Sequence, residues 1–416
     1  MTQGNSMKLI FQFFLPILIG NLFQQLYSFV DSMVVGKGIG DVALAAVGNT
    51  SSVHFLILGF AMGLTGGLGI CISHSFGAND IEKLRKEIAM SVYICLAIGI
   101  VITVGSLFWM RRLFVFLQTP EDMMTDTLVY FGTILAGSTV TIFNNFAMTL
   151  LRSVGNSKVP LASMIVSSVV NIVLDLLFVF PFGMGVFGAA LATVLAQVVS
   201  ALYCLVYIRR AAELLPRKTD WRADGVLLGA LVGKGLPVAV MNSVTAVGGM
   251  VLQVFVNQMG TAYVAAYAAC MKVCGLFEQP GITLGLALLT FTGQNYGAYK
   301  FDRIDKGSKI GLIGAIIWGS ITTVVLVFFG DVIFRAFINE QDAIIKGIDY
   351  LRILGYSQLF MCIEITITGI LKGLGRTYIP SFISIALNLA RIPMAIVLSK
   401  PDILGINGIW WSIAIS

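Results

Sequence analysis

Apolar runs of about twenty residues recur along the whole chain, each long enough to cross a hydrocarbon core about 30 Å thick. Short polar stretches separate them, such as VGKGIGD (35–41), FGANDIEKLRK (76–86), QTPEDMMTD (118–126), RSVGNSK (152–158) and FPFGMGV (180–186). The pattern predicts helices at 9–35, 47–75, 88–110, 124–151, 161–181, 187–208, 231–258, 265–294, 308–330, 343–371, 380–398 and 407–416. Alternating ten-residue strands, the mark of a membrane barrel, are absent. The chain therefore reads as an all-α polytopic membrane protein with twelve transmembrane helices in two pseudo-symmetric six-helix bundles. The twelfth helix is expected to be truncated, and the N-terminal run is a retained first span rather than a cleaved leader.

The two bundles follow from an internal repeat. LLRSVGNSKVP at 150–160 returns as ILKGLGRTYIP at 370–380, FGA at 76–78 returns as YGA at 296–298, and GVFG at 185–188 has a counterpart in GING at 405–408. Pro16 and Pro237 pair at nearly the same offset, and Gly59 and Gly63 match Gly281 and Gly285. The domains expected are 1–210, a linker at 211–230, and 231–416, related by an axis along the membrane normal.

Composition adds little to this except orientation. Of 416 residues 57% are hydrophobic and 12% charged, about half the charge of a soluble domain. With the N-terminus in the cytoplasm, alternating loops place 18 of the 27 Lys and Arg residues inside and 6 outside, with Lys272, Arg352 and Arg391 left within spans. That bias orients the chain in a cytoplasmic (inner) membrane. The net charge of +6 thus sorts by loop and does not signal nucleic acid. All six cysteines fall in apolar runs, where they act as small hydrophobes.

Chemistry concentrates in the acids that the runs contain. NIVLD (171–175) places Asn171 and Asp175 one helical turn apart with no basic residue in the run. An ionised Asp at mid-membrane costs roughly 2.5–3.5 kcal/mol on insertion scales. Counting inward from predicted ends at about 1.5 Å per residue puts Asp31, Asp175 and Thr193 each roughly 9 Å below the outer surface. Asn171 lies one turn deeper. The four predict a hydrophilic pocket in the outer half of the first lobe. The repeat puts Val251, Ala395 and Ile413 at the positions matching Asp31, Asp175 and Thr193, so the pocket is expected in one lobe only. Two close carboxylates cannot both stay ionised cheaply, and hard oxygen donors suit Na⁺ or H⁺.

A candidate second-lobe polar site comprises Glu278, Glu364, Arg391 and Lys272. Glu278 and Arg391 sit at mid-span and are placed to pair, with Lys272 a further partner for the acids. Glu364 either faces the cavity or snorkels. Gly59, Gly63 and Gly67 form a small-residue packing face. Pro16 interrupts the first helix and reads as a static kink or as a hinge near the Asp31 pocket.

The stretches QLYSFVDSMVVGKGIGDVALAAVG, FGAND, RSVGNSKVP and NIVLDLLFVF with GVFGAALATVLAQ resemble the MATE (multidrug and toxic compound extrusion) family over essentially the whole chain. The resemblance implies twelve helices in two bundles and export of cationic or amphipathic compounds against Na⁺ or H⁺. It also implies a cation site at the positions of Asp31, Asn171, Asp175 and Thr193, with Pro16 at that of a helix-bending proline. One branch carries an acid on the seventh helix; here that helix has none.

The function expected is secondary antiport, not enzyme catalysis. No cofactor is expected beyond the coupling ion Na⁺ or H⁺, which Asp31, Asn171, Asp175 and Thr193 would bind. The expected partners are a small organic cationic or amphipathic substrate and the lipid bilayer, with a monomeric protein. Tyr27, Phe143 and Met250 are candidates for the substrate cavity. A flippase for lipid-linked precursors is the alternative, set against by buried charge that is mainly acidic. An intramembrane aspartyl protease would need a G-x-G-D motif within a span; the match here, GIGD at 38–41, lies in a polar turn between two predicted helices.

Overall fold

A computed structural model describes residues 1–117, 119–337, 341–400 and 402–416, and its regular structure there is helical throughout. The first half contains α1 (Ser6–Gly38), α2 (Asp41–Gly77), α3 (Ile81–Phe116), α4 (Glu121–Ala136), α5 (Ser138–Ser153), α6 (Lys158–Val179) and α7 (Gly185–Arg210). The second contains α8 (Gly225–Asn257), α9 (Thr261–Gly297), α10 (Phe301–Phe337), α11 (Gln341–Gly373), α12 (Tyr378–Leu398) and α13 (Asn407–Ile415). Ten of these are long and apolar enough to span a membrane, eleven when α4 and α5 count as one bent span. The short α13 takes the twelfth position.

Several helices outrun the hydropathy pattern. α3 covers Ile81–Phe116 where apolarity predicts 88–110. The extra turn is polar and is started by Asp80, whose side chain accepts from the Lys83 N–H at 3.0 Å. Asp224 caps α8 in the same way, accepting from Val226 and Leu227 N–H. Asn79 and its repeat partner Tyr299 both adopt left-handed backbone conformations, φ 59° and 56°, so the turn after α2 is reproduced after α9.

The fourth predicted span is not continuous. α4 and α5 meet at Gly137 with a bend of 47°. A Cβ at Gly137 would lie 2.5 Å from Val194, so the absence of a side chain lets α7 press into the break. The counterpart in the second half, α11, runs unbroken for 33 residues.

Helices α1–α7 form one lobe and α8–α13 the other, meeting along α2, α8 and α9. Small residues set how closely they approach, as expected where lipid removes the hydrophobic drive between helices. A Cβ on Gly63 would sit 2.7 Å from Ala239 Cα, and one on Gly67 2.2 Å from Gly235 Cα. The repeat partners of Gly59 and Gly63 do something different: Gly281 and Gly285 face Cys362 and Ile365 of α11, inside the second lobe.

The end of the bundle that carries most of the Lys and Arg residues is sealed. There His74 Nε2 bonds the Gly373 carbonyl at 2.7 Å, and Gln294 Nε2 donates to the Ser153 carbonyl at 2.8 Å. Lys300 donates to the Thr2 carbonyl and Arg303 to the Gly4 carbonyl, fastening the start of the chain across the seam. At mid-depth Asn21 donates to Thr283 and Asn242 to the Gly59 carbonyl. Among the described residues no hydrogen bond joins the lobes beyond that level, and Gly48, Gly249, Gly260 and Gly275 have no neighbour within 4 Å of an added Cβ. Among the described residues the hydrogen bonds between the lobes thus lie at the basic end and at mid-depth.

Candidate cation site and its comparisons

The four first-lobe residues named from spacing converge. Asp31 on α1 and Asp175 on α6 lie on helices packed together, and their carboxyl groups interact. Asp175 and Asn171 are buried, at 0% and 2% exposure. Asn171 Nδ2 donates to Thr193 Oγ1 at 3.5 Å, and Thr193 itself donates to the Ala189 carbonyl at 3.2 Å. The position of the group follows from the helix ends. Asp31 lies seven residues before the end of α1, Asn171 eight before the end of α6 and Thr193 eight after the start of α7. At 1.5 Å per residue these depths agree within about 2 Å, measured from the end opposite the basic one.

The decisive feature is what the acids lack. Asp31 Oδ1, both oxygens of Asp175 and Asn171 Oδ1 are buried without any hydrogen-bond donor. Buried polar groups are nearly always paired, and two adjoining carboxylates in a low dielectric repel one another. Four hard oxygen acceptors converging without a donor fit a proton or a small cation of the Na⁺ type.

Other residues belong to the same region. Tyr27 on α1 and Tyr130 on α4 both lie within charge range of Asp31 and Asp175. One turn beyond Thr193, Gln197 Oε1 accepts from Asn144 Nδ2 of α5 at 2.6 Å, and Asn144 Oδ1 is buried and unpaired. A polar line therefore descends from the carboxyl pair toward mid-membrane. The sequence reading places Tyr27 in the substrate cavity and gives Tyr130, Asn144 and Gln197 no role. Gln197 alone carried a signal, its i+4 spacing from Thr193.

The second lobe fills the equivalent space. Tyr350, the repeat partner of Tyr130, stacks on Trp410 at 4.0 Å between centroids, and Tyr267 stacks on both at 5.8 and 6.1 Å. Ala395 and Ile413 pack into this aromatic core, where the first lobe has Asp175 and Thr193. The pocket is one-sided.

The proposed second-lobe polar group does not assemble. α9 packs against α10 and α11, whereas α12 packs against α8 and α13, so Glu278 and Arg391 are on helices held apart. Arg391 Nε donates instead to Ser416 Oγ. Glu278 is partly buried on α9, and Glu364 is exposed and accepts from Thr368. Lys272 is exposed, and the ion pairs among the described residues are Lys86–Glu82 and Lys309–Asp305. Pro16 is also not beside the pocket: fifteen residues of α1 separate it from Asp31, about 22 Å at helical rise.

Arg152 departs furthest from the loop reading of RSVGNSK. It lies in the last turn of α5 with its side chain directed inward, one guanidinium NH2 donating to Met164 Sδ at 3.7 Å. Its Nε is buried with no acceptor. A cation at a helix C-terminus recovers up to about 2 kcal/mol from the macrodipole, against several kcal/mol for desolvating an unpaired ion. The charged residues buried outright are acids, Glu87, Asp175 and Asp220, and Arg152 adds a partly buried cation.

Comparison with known proteins is consistent with this architecture. The MatE family model matches residues 16–177 and again 237–397, so its two matches start at the paired prolines. The probable multidrug resistance protein YoeA of Bacillus subtilis is 30% identical over 409 residues, spanning 96% of this chain and 88% of its own. The multidrug export protein MepA of Staphylococcus saprophyticus is 23% identical over 416 residues, spanning 100% and 91%. A MOP superfamily transporter from Pyrococcus furiosus, described as having a binding pocket of reverse polarity, superposes with a TM-score of 0.92 at 25% identity over 100% of this chain and 93% of that one. A multidrug resistance MATE transporter in an outward-facing conformation shares the fold, with a TM-score of 0.91 at 24% identity over 100% and 93%. A duplicated helical bundle, a family match to each copy and a full-length relative at this identity lead to one conclusion: the chain belongs to the MATE family of multidrug efflux transporters.

Proposed function

We propose that this protein is a secondary antiporter that exports small cationic or amphipathic compounds in exchange for Na⁺ or H⁺ bound between Asp31 and Asp175. The observation that carries the reading is the set of buried carboxyl and amide oxygens in the first lobe that meet no donor. The basic end is then cytoplasmic, as the Lys and Arg bias favours.

Antiport requires that each ligand bind the two lobe arrangements with different affinity. A cation between the two carboxyls removes their repulsion and ties α1 to α6. Its loss lets α1 shift against α6 and α7, the helices that together wall the pocket. Asn171 and Thr193 hold the amide oxygen toward the acids, and the polar line through Gln197 and Asn144 continues from the pocket into the lobe.

Reconstituted efflux of ethidium tests this. Wild-type protein should pump only with an inward Na⁺ or H⁺ gradient. Asp31→Asn and Asp175→Asn should each reduce gradient-driven efflux at least tenfold while inserting normally. Wild-type rates in either variant would remove the site from the mechanism.

A further inference from the structure

Below the mid-depth contacts, the seam between the lobes encloses a pocket of about 120 Å³. The Gln294–Ser153 hydrogen bond bounds it toward the basic end, and the Asn21–Thr283 bond bounds it toward the other. Its walls come from both lobes: Ile17 of α1, Thr65 of α2, Asn145, Thr149 and Arg152 of α5, and Thr290 of α9. We propose that it receives an anionic group, a carboxylate, sulfonate or phosphate, carried by the transported amphipath.

The chemistry of the wall is one-sided. Arg152 is the charged residue of this lining, with hydroxyl and amide groups beside it and no acid. Its guanidinium has no carboxylate partner among the described residues, and Nε has no acceptor at all. A planar guanidinium matches the paired oxygens of such a group. Removing it from water without a counter-charge is unfavourable, and the helix C-terminus compensates only in part. A volume of about 120 Å³ is enough for a small charged head group.

The location bears on transport. An anion held by Arg152 touches α1, α2 and α5 on one side and α9 on the other, the elements that must part when the basic end opens. Its affinity therefore differs between the two lobe arrangements, which is the requirement for a coupled substrate. This points to amphipaths that carry an anionic group as the preferred cargo class. The inference deepens the proposed export function and rests on it for the word transported.

Equilibrium binding to purified protein separates the two. Dansylglycine, an aromatic carboxylate, and its uncharged methyl ester are titrated by fluorescence in dilute Tris buffer low in chloride without any ion gradient, so the result does not depend on Asp31 or Asp175. Wild type should bind the acid at least tenfold more tightly than the ester. Arg152→Gln should abolish that preference while binding the ester as before, and Arg152→Lys should keep part of it, showing that charge and not folding is read. A wild type without preference, or a preference that survives in Arg152→Gln, overturns the proposal. So does a preference erased by 100 mM chloride, which would make this an inorganic anion site.

Discussion

Asn144 donates to Gln197 at 2.6 Å, one helical turn beyond the hydrogen bond from Asn171 to Thr193, and the two contacts stitch α5, α6 and α7 together within the bilayer. The lower pair is a structural seam as well as an extension of the pocket. Gln197→Leu leaves an amide unpaired in an apolar surround and should cost about 0.6–1.7 kcal/mol, the range of interhelical hydrogen bonds in membranes. The double variant Asn144→Leu/Gln197→Leu should recover most of the loss. Unfolding midpoints in detergent for the four members of this cycle measure the coupling.

The carboxyl pair should make stability depend on the coupling ion. Binding to the folded state alone raises stability by about 2.7 kcal/mol at a hundredfold excess over Kd. Wild type should gain thermal stability on addition of Na⁺, or on acidification if the proton is the ion bound. Asp31→Asn and Asp175→Asn should start closer to the ion-loaded wild type and respond little, because one source of repulsion has gone. Melting curves across Na⁺ and pH series decide which ion acts, and an unchanged response in both variants would exclude the pair.

Gly67 determines whether the basic end closes. A methyl group there would stand 2.2 Å from Gly235 Cα, backbone that has no flexible end to move aside. Gly67→Ala should hold the lobes apart at this end and reduce efflux at least tenfold. A cysteine placed at Thr290, otherwise 3% exposed, should then label faster from the basic side. The comparison is made in a background without the six native cysteines, all unpaired.

Pro16 can be separated from ion binding by distance. Pro16→Ala restores a backbone donor toward the Gln12 carbonyl and stiffens α1 at that point. If flexing there serves the lobe rearrangement, the variant should lose transport rate while keeping the ion-dependent rise in melting temperature. Loss of both together would tie the proline to the pocket despite the intervening turns.

The pocket was legible because its signal is local. Asn171 and Asp175 are one turn apart on a single helix, and depths counted from chain ends bring Asp31 and Thr193 to the same level. The repeat was equally legible, down to the substitution of Ala395 and Ile413 for polar partners. Depth does not, however, report which way a side chain faces. Glu278 and Arg391 share a level but lie on α9 and α12, which pack against different neighbours. The break at Gly137 escaped notice because its cause, the approach of Val194, lies in another helix. Arg152 was hidden by its own charge: a basic residue beside Gly, Asn and Ser reads as loop, yet the last turn of α5 includes it and turns it inward.

The stack of Tyr267, Tyr350 and Trp410 has an evolutionary consequence. With that cavity plugged by rings, the second copy offers no matching socket, so under the proposed antiport adaptation to a new energising ion would begin in the first half of the gene. Changes in the second half that keep its volume would leave ion choice untouched, so the duplicated ancestor needed to retain only one working socket to keep its pump.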